Sequence, residues 1–373
     1  MNITFLIGNG FDLNLGLKTL FSNFVEKYKD IPTNDKDIEK FKKHISKNEE
    51  LWSNAEFEFG QYSGELKNGE AAILSKCQKD FCEKLAKYLK TQEKRIDFQE
   101  NSKKVIDAFK KLDYIVNSFP LQERSVLDNV YKTYINQNVI FRFINFNYTA
   151  TFDECVKIVM DNADIFNTHK YQGQFFKHRI SEPVVHVHGT VEKEMVFAVN
   201  DETQIAKLDV FDCNYGDIYK NFLIKKNANN LYGENTDANA WNLIKESHII
   251  YIYGMSIGDT DKLWWERICQ WLSERSERHL IVHNYKMPEK GVLPVDYQIA
   301  EQDYKTFITT KSDLSIEQQK AIQNRIHVTN YNIFEDIKNI ARKDPLEYIG
   351  IDFSKDRHGA INLIYDNTKQ VKQ

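Results

Sequence analysis

Two histidines stand two residues apart in Pro183-Val184-Val185-His186-Val187-His188-Gly189, and two asparagines in Asn145-Phe146-Asn147-Tyr148-Thr149. On a strand, residues two apart share a face. An imidazole titrates near neutral pH, so one of the histidines suits a general base or a ribose contact. The alternative is a pair of satisfied histidines at a strand end. A metal would need a third ligand, to which the sequence does not point. An amide donates and accepts, so an Asn can fix a ribose hydroxyl and a water together; it can equally close a strand-to-helix turn. Gly8-Asn9-Gly10 follows the apolar run Ile3-Thr4-Phe5-Leu6-Ile7. In a nucleotide site the first Gly permits a tight turn, the second lets a phosphate approach the backbone, and the next helix offers its N–H groups. Leu13 stands where a third Gly would complete the fingerprint, so the turn also reads as a plain connection. Asp12, Asp259 and Asp261 lie near helix starts, where carboxylates cap helices or take part in chemistry.

Several elements must position these residues. Val139 to Phe146 and Ile249 to Tyr253 are apolar on both faces apart from Arg142, the pattern of strands covered on both sides. His279 to His283 and Arg325 to Val328 read as two more strands, Pro183 to Gly189 as a further one, and Met195 to Val199 as a pairing partner nearby. Leu15, Leu17, Leu20, Phe21, Phe24 and Val25 recur at helical spacing up to Pro32. From about residue 36 to 137 the chain is rich in Lys and Glu and reads as helix, carrying Glu56 and Glu58. The stretch from about 286 to 312 reads as loop and Ser315 to Asn324 as helix. Four strands therefore end in polar or Gly-rich turns, the fourth being Gly254-Met255-Ser256-Ile257-Gly258-Asp259. In an open α/β sheet, ligands sit outside such strand ends.

Bulk composition narrows the chemistry. The 373 residues carry 50 basic and 54 acidic side chains, a net charge of -4, so no global field draws nucleic acid. Five cysteines form no C-x-x-C pair, which argues against a zinc ribbon or disulfide framework. No apolar run approaches the ~20 residues needed to cross a bilayer, and Met1-Asn2 lacks a basic leader region, so a cytoplasmic protein without membrane contact is expected.

In order, the Gly8, Asn145, His186 and Gly254 segments resemble the AbiH family of bacterial abortive-infection proteins, with Trp52, Glu56 and Asn200-Asp201-Glu202-Thr203-Gln204 as further members of the pattern. The resemblance covers roughly residues 1 to 285. It implies phage defence by arrest or death of the infected cell, triggered by a phage or host component. A more distant resemblance is to sirtuin-like domains, some of which degrade NAD in bacterial defence. Gly8 and Gly10, Asn147 and Tyr148, His188 and Gly189, and Gly254 and Ser256 match that pattern. Thr149 replaces its Asp, the Pro-x-Phe-Arg segment is missing, and there is no four-Cys zinc module, so deacetylation is not expected.

The resemblance implies an α/β fold with a Rossmann-like (sirtuin-like), mostly parallel sheet. The core would comprise residues 1–35 and 138–345, interrupted by a helical insertion at 36–137 and followed by an extension at 346–373. It also implies NAD as substrate or ligand, with no metal. Asn147 and His188 would be catalytic. Gly8, Asn9, Gly10, Phe11, Asp12, Asn145, Tyr148, His186, Gly254, Ser256 and Asp259 would bind the nucleotide. A homo-oligomer is compatible with this reading. The alternatives are a non-catalytic nucleotide sensor and a nuclease or RNA-binding effector. Support for the latter is limited to Lys103-Lys104 and Lys225-Lys226, and such runs are usually solvated helix faces.

Overall fold

A computed structural model describes residues 1–47, 55–180, 183–232, 236–258, 261–289 and 293–343. Its strands are β1 (Asn2–Ile7), β2 (Val139–Asn145), β3 (Thr168–Tyr171), β4 (Gln174–Ile180), β5 (Val185–His186), β6 (Ile249–Tyr253), β7 (His279–His283) and β8 (Ile326–Thr329). They form one sheet in the order β3-β4-β2-β1-β6-β7-β8, with β5 also pairing with β2. Every pairing is parallel except β3 with β4. The fold is therefore mixed α/β with a mostly parallel sheet.

Helices α1 (Gly10–Asn14), α2 (Phe21–Tyr28), α3 (Lys36–Ser46), α4 (Ala55–Tyr62), α5 (Ala71–Glu93), α6 (Ser102–Lys110) and α7 (Leu121–Thr133) lie between β1 and β2. Then come α8 (Thr151–Met160), α9 (Gly216–Leu223), α10 (Lys225–Tyr232), α11 (Thr236–Lys245), α12 (Lys262–Glu274), α13 (Val295–Thr310) and α14 (Ile316–Gln323). Period-two alternation divides β1 between two cores. Ile3, Phe5 and Ile7 join Phe109, Leu112 and Phe152 from α6 and the α8 side. Leu6 joins Ile144, Ile252, Trp265 and Leu272 on the α12 side. A third core lies off the sheet, where Phe24, Phe41, Phe59 and Phe81 meet Phe197, Val199 and Leu223.

Several expected elements differ. The helix after Gly10 is two helices, because Gly16 adopts φ +88° and interrupts the first. Strand pairing after Pro183 is confined to Val185–His186. Met195–Val199 is apolar because it fills the third core and its flank; it adds no strand, and Val199 makes only an isolated bridge to Ile224. The expected loop at 286–312 contains the helix α13. Helix α14 agrees with the sequence, closed by a capping box between Ser315 and Gln318.

Candidate functional site at the strand ends

Because β1, β2, β5 and β6 run parallel, their carboxyl ends share one edge of the sheet. Ile7 lies level with Asn145 and Tyr253. The turns that follow interlock through the backbone: Gly8 N–H donates to Tyr253 O at 2.8 Å and Gly10 N–H to Gly254 O at 2.9 Å. A Cβ on Gly10 would stand 2.4 Å from Gly254 Cα, and one on Gly8 2.6 Å from Gly254 O. Gly254 itself has φ +71°. Close approach of two turns thus already requires all three glycines.

Beside this seam lies a buried polar cluster. Asn145 Oδ1 accepts from the N–H of Asn147 at 3.0 Å, and Asn147 Nδ2 donates to Gly8 O at 3.2 Å. Tyr148 donates its hydroxyl toward Glu56 Oε1 at 2.7 Å and Val196 O at 2.9 Å. Glu56, from α4, forms an ion pair with Lys225 of α10 at 2.8 Å. Burial pulls the Lys225 ammonium down, but Glu56 and Asp261 outweigh it and the net shift is upward. Asp261 is pushed up to about 6 by burial, against the pull of Lys225. His188 is 6% exposed, its ring beside those of Phe146 and Tyr148. Burial, then the Lys225 charge, holds its imidazole well below the usual range, so it is neutral. His188 Nδ1 and Asn145 Nδ2 are both buried with no hydrogen-bond partner among the described residues. Buried polar atoms are rarely left so, because each costs roughly 1–3 kcal/mol.

The other expected residues are placed differently. Asn9 is tied to Thr19 through both its amide atoms. Phe11 is core: its ring packs on Phe152, Tyr253 and Phe334, so its side chain is closed to a ligand. Asp12 is fully buried and accepts from Thr149 and Thr151 hydroxyls. Burial pushes its carboxyl up to about 6 despite those bonds. It ties α1 to the turn after β2. His186 meets Asp153 of α8 at 2.9 Å and the Asn147 carbonyl at 3.3 Å, whereas His188 lies beyond the paired strand. The two imidazoles therefore serve different surroundings. Ser256 is exposed, its carbonyl accepting from Trp265 Nε1 at 3.2 Å. Asp259 and Trp52 lie outside the described residues.

Lys225 corrects the reading of Lys225-Lys226 as a solvated face. Ile224, Lys225, Ala228 and Asn229 are buried together while Lys226 is exposed. The available signal was spacing: Lys225 and Asn229 lie on the same stripe as Ile224 and Ala228. Among the described residues no group of three or more His, Cys, Asp or Glu is placed to hold a metal, and no helix is long and apolar enough to cross a membrane. Cavities of about 290 Å³, beside Lys245 and Arg275, and about 460 Å³, beside Ile31 and Lys42, lie away from the strand-end cluster. Asn147, at 5% exposed, and His188 are covered, so a ligand would enter only after local opening.

A family model described as bacteriophage abortive infection AbiH matches residues 4–283. The chain belongs to the AbiH family. The matched span of this AbiH chain runs from β1 to the end of β7 and contains every member of the strand-end cluster, from Gly8 through Glu56, Asn147, His188 and Lys225 to Asp261. No match was found among curated proteins or among solved structures.

Proposed function

We propose that this AbiH chain is a cytoplasmic abortive-infection effector whose Rossmann-like, sirtuin-like core binds NAD or a related nucleotide and hydrolyses the nicotinamide–ribose bond. The observation that carries this reading is the unpartnered Nδ1 of a buried, neutral His188 at the carboxyl edge of a parallel sheet. A neutral imidazole can accept a proton from water. In the reaction, the ribose C1′–N bond breaks, nicotinamide leaves with the bonding pair, and water oxygen bonds to C1′. His188 takes the water proton and returns it to solvent. The Nδ2 of Asn145 and the carbonyl oxygen of the Asn147 side chain would hold the ribose and the water. In this reading the core comprises 1–35 and 138–345. The α3–α5 part of the 36–137 block acts as a lid, Glu56 of α4 reaching across to Tyr148 and Lys225, while α6 of that block stays packed on the sheet.

One observation favours a non-catalytic sensor instead. Asn147 Nδ2 is already engaged by the Gly8 carbonyl, so that donor supports the turn rather than a ligand.

The deciding experiment is incubation with NAD while nicotinamide release and NAD binding are followed in the same samples. Release by the parent, abolished in folded His188→Ala and Asn147→Ala variants, is the expected result. Binding without release supports the sensor, and absence of both removes NAD as the ligand.

A further inference from the structure

The β3–β4 hairpin carries a surface that the strand-end site does not use. Gln172, at φ 47°, and Gly173, at φ 84°, make its two-residue turn. The register pairs Thr168 with Lys177, His169 with Phe176 and Lys170 with Phe175. Cross-strand partners share a face, so Thr168, Lys170, Phe175, Lys177 and Arg179 lie together on one side. All five are exposed, whereas His169, Phe176 and His178 on the other side are half-buried. That second side is anchored: His178 meets Asp113 at 2.5 Å, and His169 meets His178 at 3.0 Å and the Ile135 carbonyl at 2.8 Å.

The outward side is cationic and aromatic. No acidic residue occurs between Asp164 and Glu182. Among the described residues, no carboxylate pairs with Lys170, Lys177 or Arg179. Phe175 is 70% exposed, with Lys170 Nζ 5.3 Å from its ring centre. A lysine on an edge strand can serve simply to block unwanted pairing. That accounts for Lys170 on β3, but not for Arg179, whose stretch of β4 pairs with β2, nor for a second cation at Lys177 beside an exposed Phe.

We propose that this ribbon face binds single-stranded nucleic acid. A base would stack on Phe175, and its flanking phosphates would meet Lys170, Lys177 and Arg179. Cations tracking a backbone around an aromatic platform are how strands are held without sequence preference. A membrane anchor would need a broader apolar face than one ring. Val139 pairs with His178, so residues 174–177 project past the amino end of β2, opposite the carboxyl edge with His188. The two surfaces can therefore be tested independently.

Fluorescence anisotropy of the full chain with labelled 12-nucleotide oligo-U and oligo-dT decides the proposal, alongside a 12-base-pair duplex and phosphatidylserine vesicles. Single strands are expected to bind, with log K falling against log salt at a slope of about -2, from three cations at roughly 0.7 each. The K170A/K177A/R179A variant should lose that slope. Phe175→Ala should weaken binding about 5- to 150-fold with the slope retained, the range one stacked base supplies. Preference between the two oligonucleotides identifies RNA or DNA as the source. No binding by the parent at low salt, preference for duplex, or vesicle binding without oligonucleotide binding would overturn the proposal. So would unchanged affinity in the triple variant. Matching thermal unfolding curves establish that these exposed substitutions leave the fold intact.

Discussion

At the scale of single residues, the candidate site is dominated by charges brought in from water. Glu56 and Lys225 have side chains 7% and 10% exposed, so removing either leaves the other desolvated. Lys225→Met is expected to cost about 3–5 kcal/mol in denaturant unfolding, and Glu56→Gln combined with Lys225→Met to recover most of it. A double-mutant cycle measures the difference. Asp12 behaves in the opposite sense. Its folded pKa is raised to about 6, so the stability linked to its neutral form is complete below the unfolded value of 3.8 and is lost as pH rises through about 6. Asp12→Asn should therefore gain stability relative to the parent between pH 4 and pH 7, read from urea titrations at both ends. In the sequence, Asn147 and His188 stood out by type and spacing, and Glu56 through the family resemblance. The sequence did not convey that Lys225 would be the counter-charge of Glu56, because a lysine beside another lysine looks solvated until its helix is packed.

At the scale of elements, the interlocked turns after β1 and β6 separate a packing requirement from a ligand requirement. Gly173 and Gly254 both have positive φ, but a Cβ on Gly173 would meet nothing within 4 Å, whereas one on Gly254 would stand 2.6 Å from Gly10 Cα. Gly173→Ala is expected to cost about 1 kcal/mol from backbone strain alone, and Gly254→Ala distinctly more, without any nucleotide present. Thermal unfolding of the two variants checks this. Strands β1, β2, β6 and β7 were legible because burial on both faces leaves them almost uniformly apolar. Strands β3 and β4 were not, because one face is polar and exposed and the other is half-covered through histidines. Helix α13 escaped notice for a related reason: Tyr297 and Ile308 are buried, but Val295, Ile299 and Phe307 are exposed, so no clean apolar stripe marks it. The approximate sheet edge could thus be read from the chain, while the lengths of β5 and α13 depended on tertiary partners.

For the whole molecule, opposing titrations set the acid limit. Burial holds His248 and His283 down to about 4 and His279 to about 3. Their contribution is present above the unfolded value of 6.5 and is lost as pH falls toward those folded values. Asp12 and Asp261 act the other way over about pH 4 to 6, as do the carboxyls of Glu58, Glu93 and Asp237, all raised by burial. Asp35, Glu39, Glu65, Asp97 and Glu335, held low chiefly by hydrogen bonds, act with the histidines. The melting temperature is therefore expected to fall as pH drops from 6.5 to 4, and His279→Gln to reduce that fall. The position of β1 has a further consequence, in time rather than energy. The earliest of the described strands is the centre of the sheet, and its neighbour β6 begins at Ile249. At cellular synthesis rates, roughly 250 residues take about 12–50 s to emerge. Through that interval the Gly8–Gly10 turn waits without Gly254. A nascent chain therefore cannot complete its strand-end site beside the ribosome until Gly254 has emerged, so whatever activity the site carries would be absent until then.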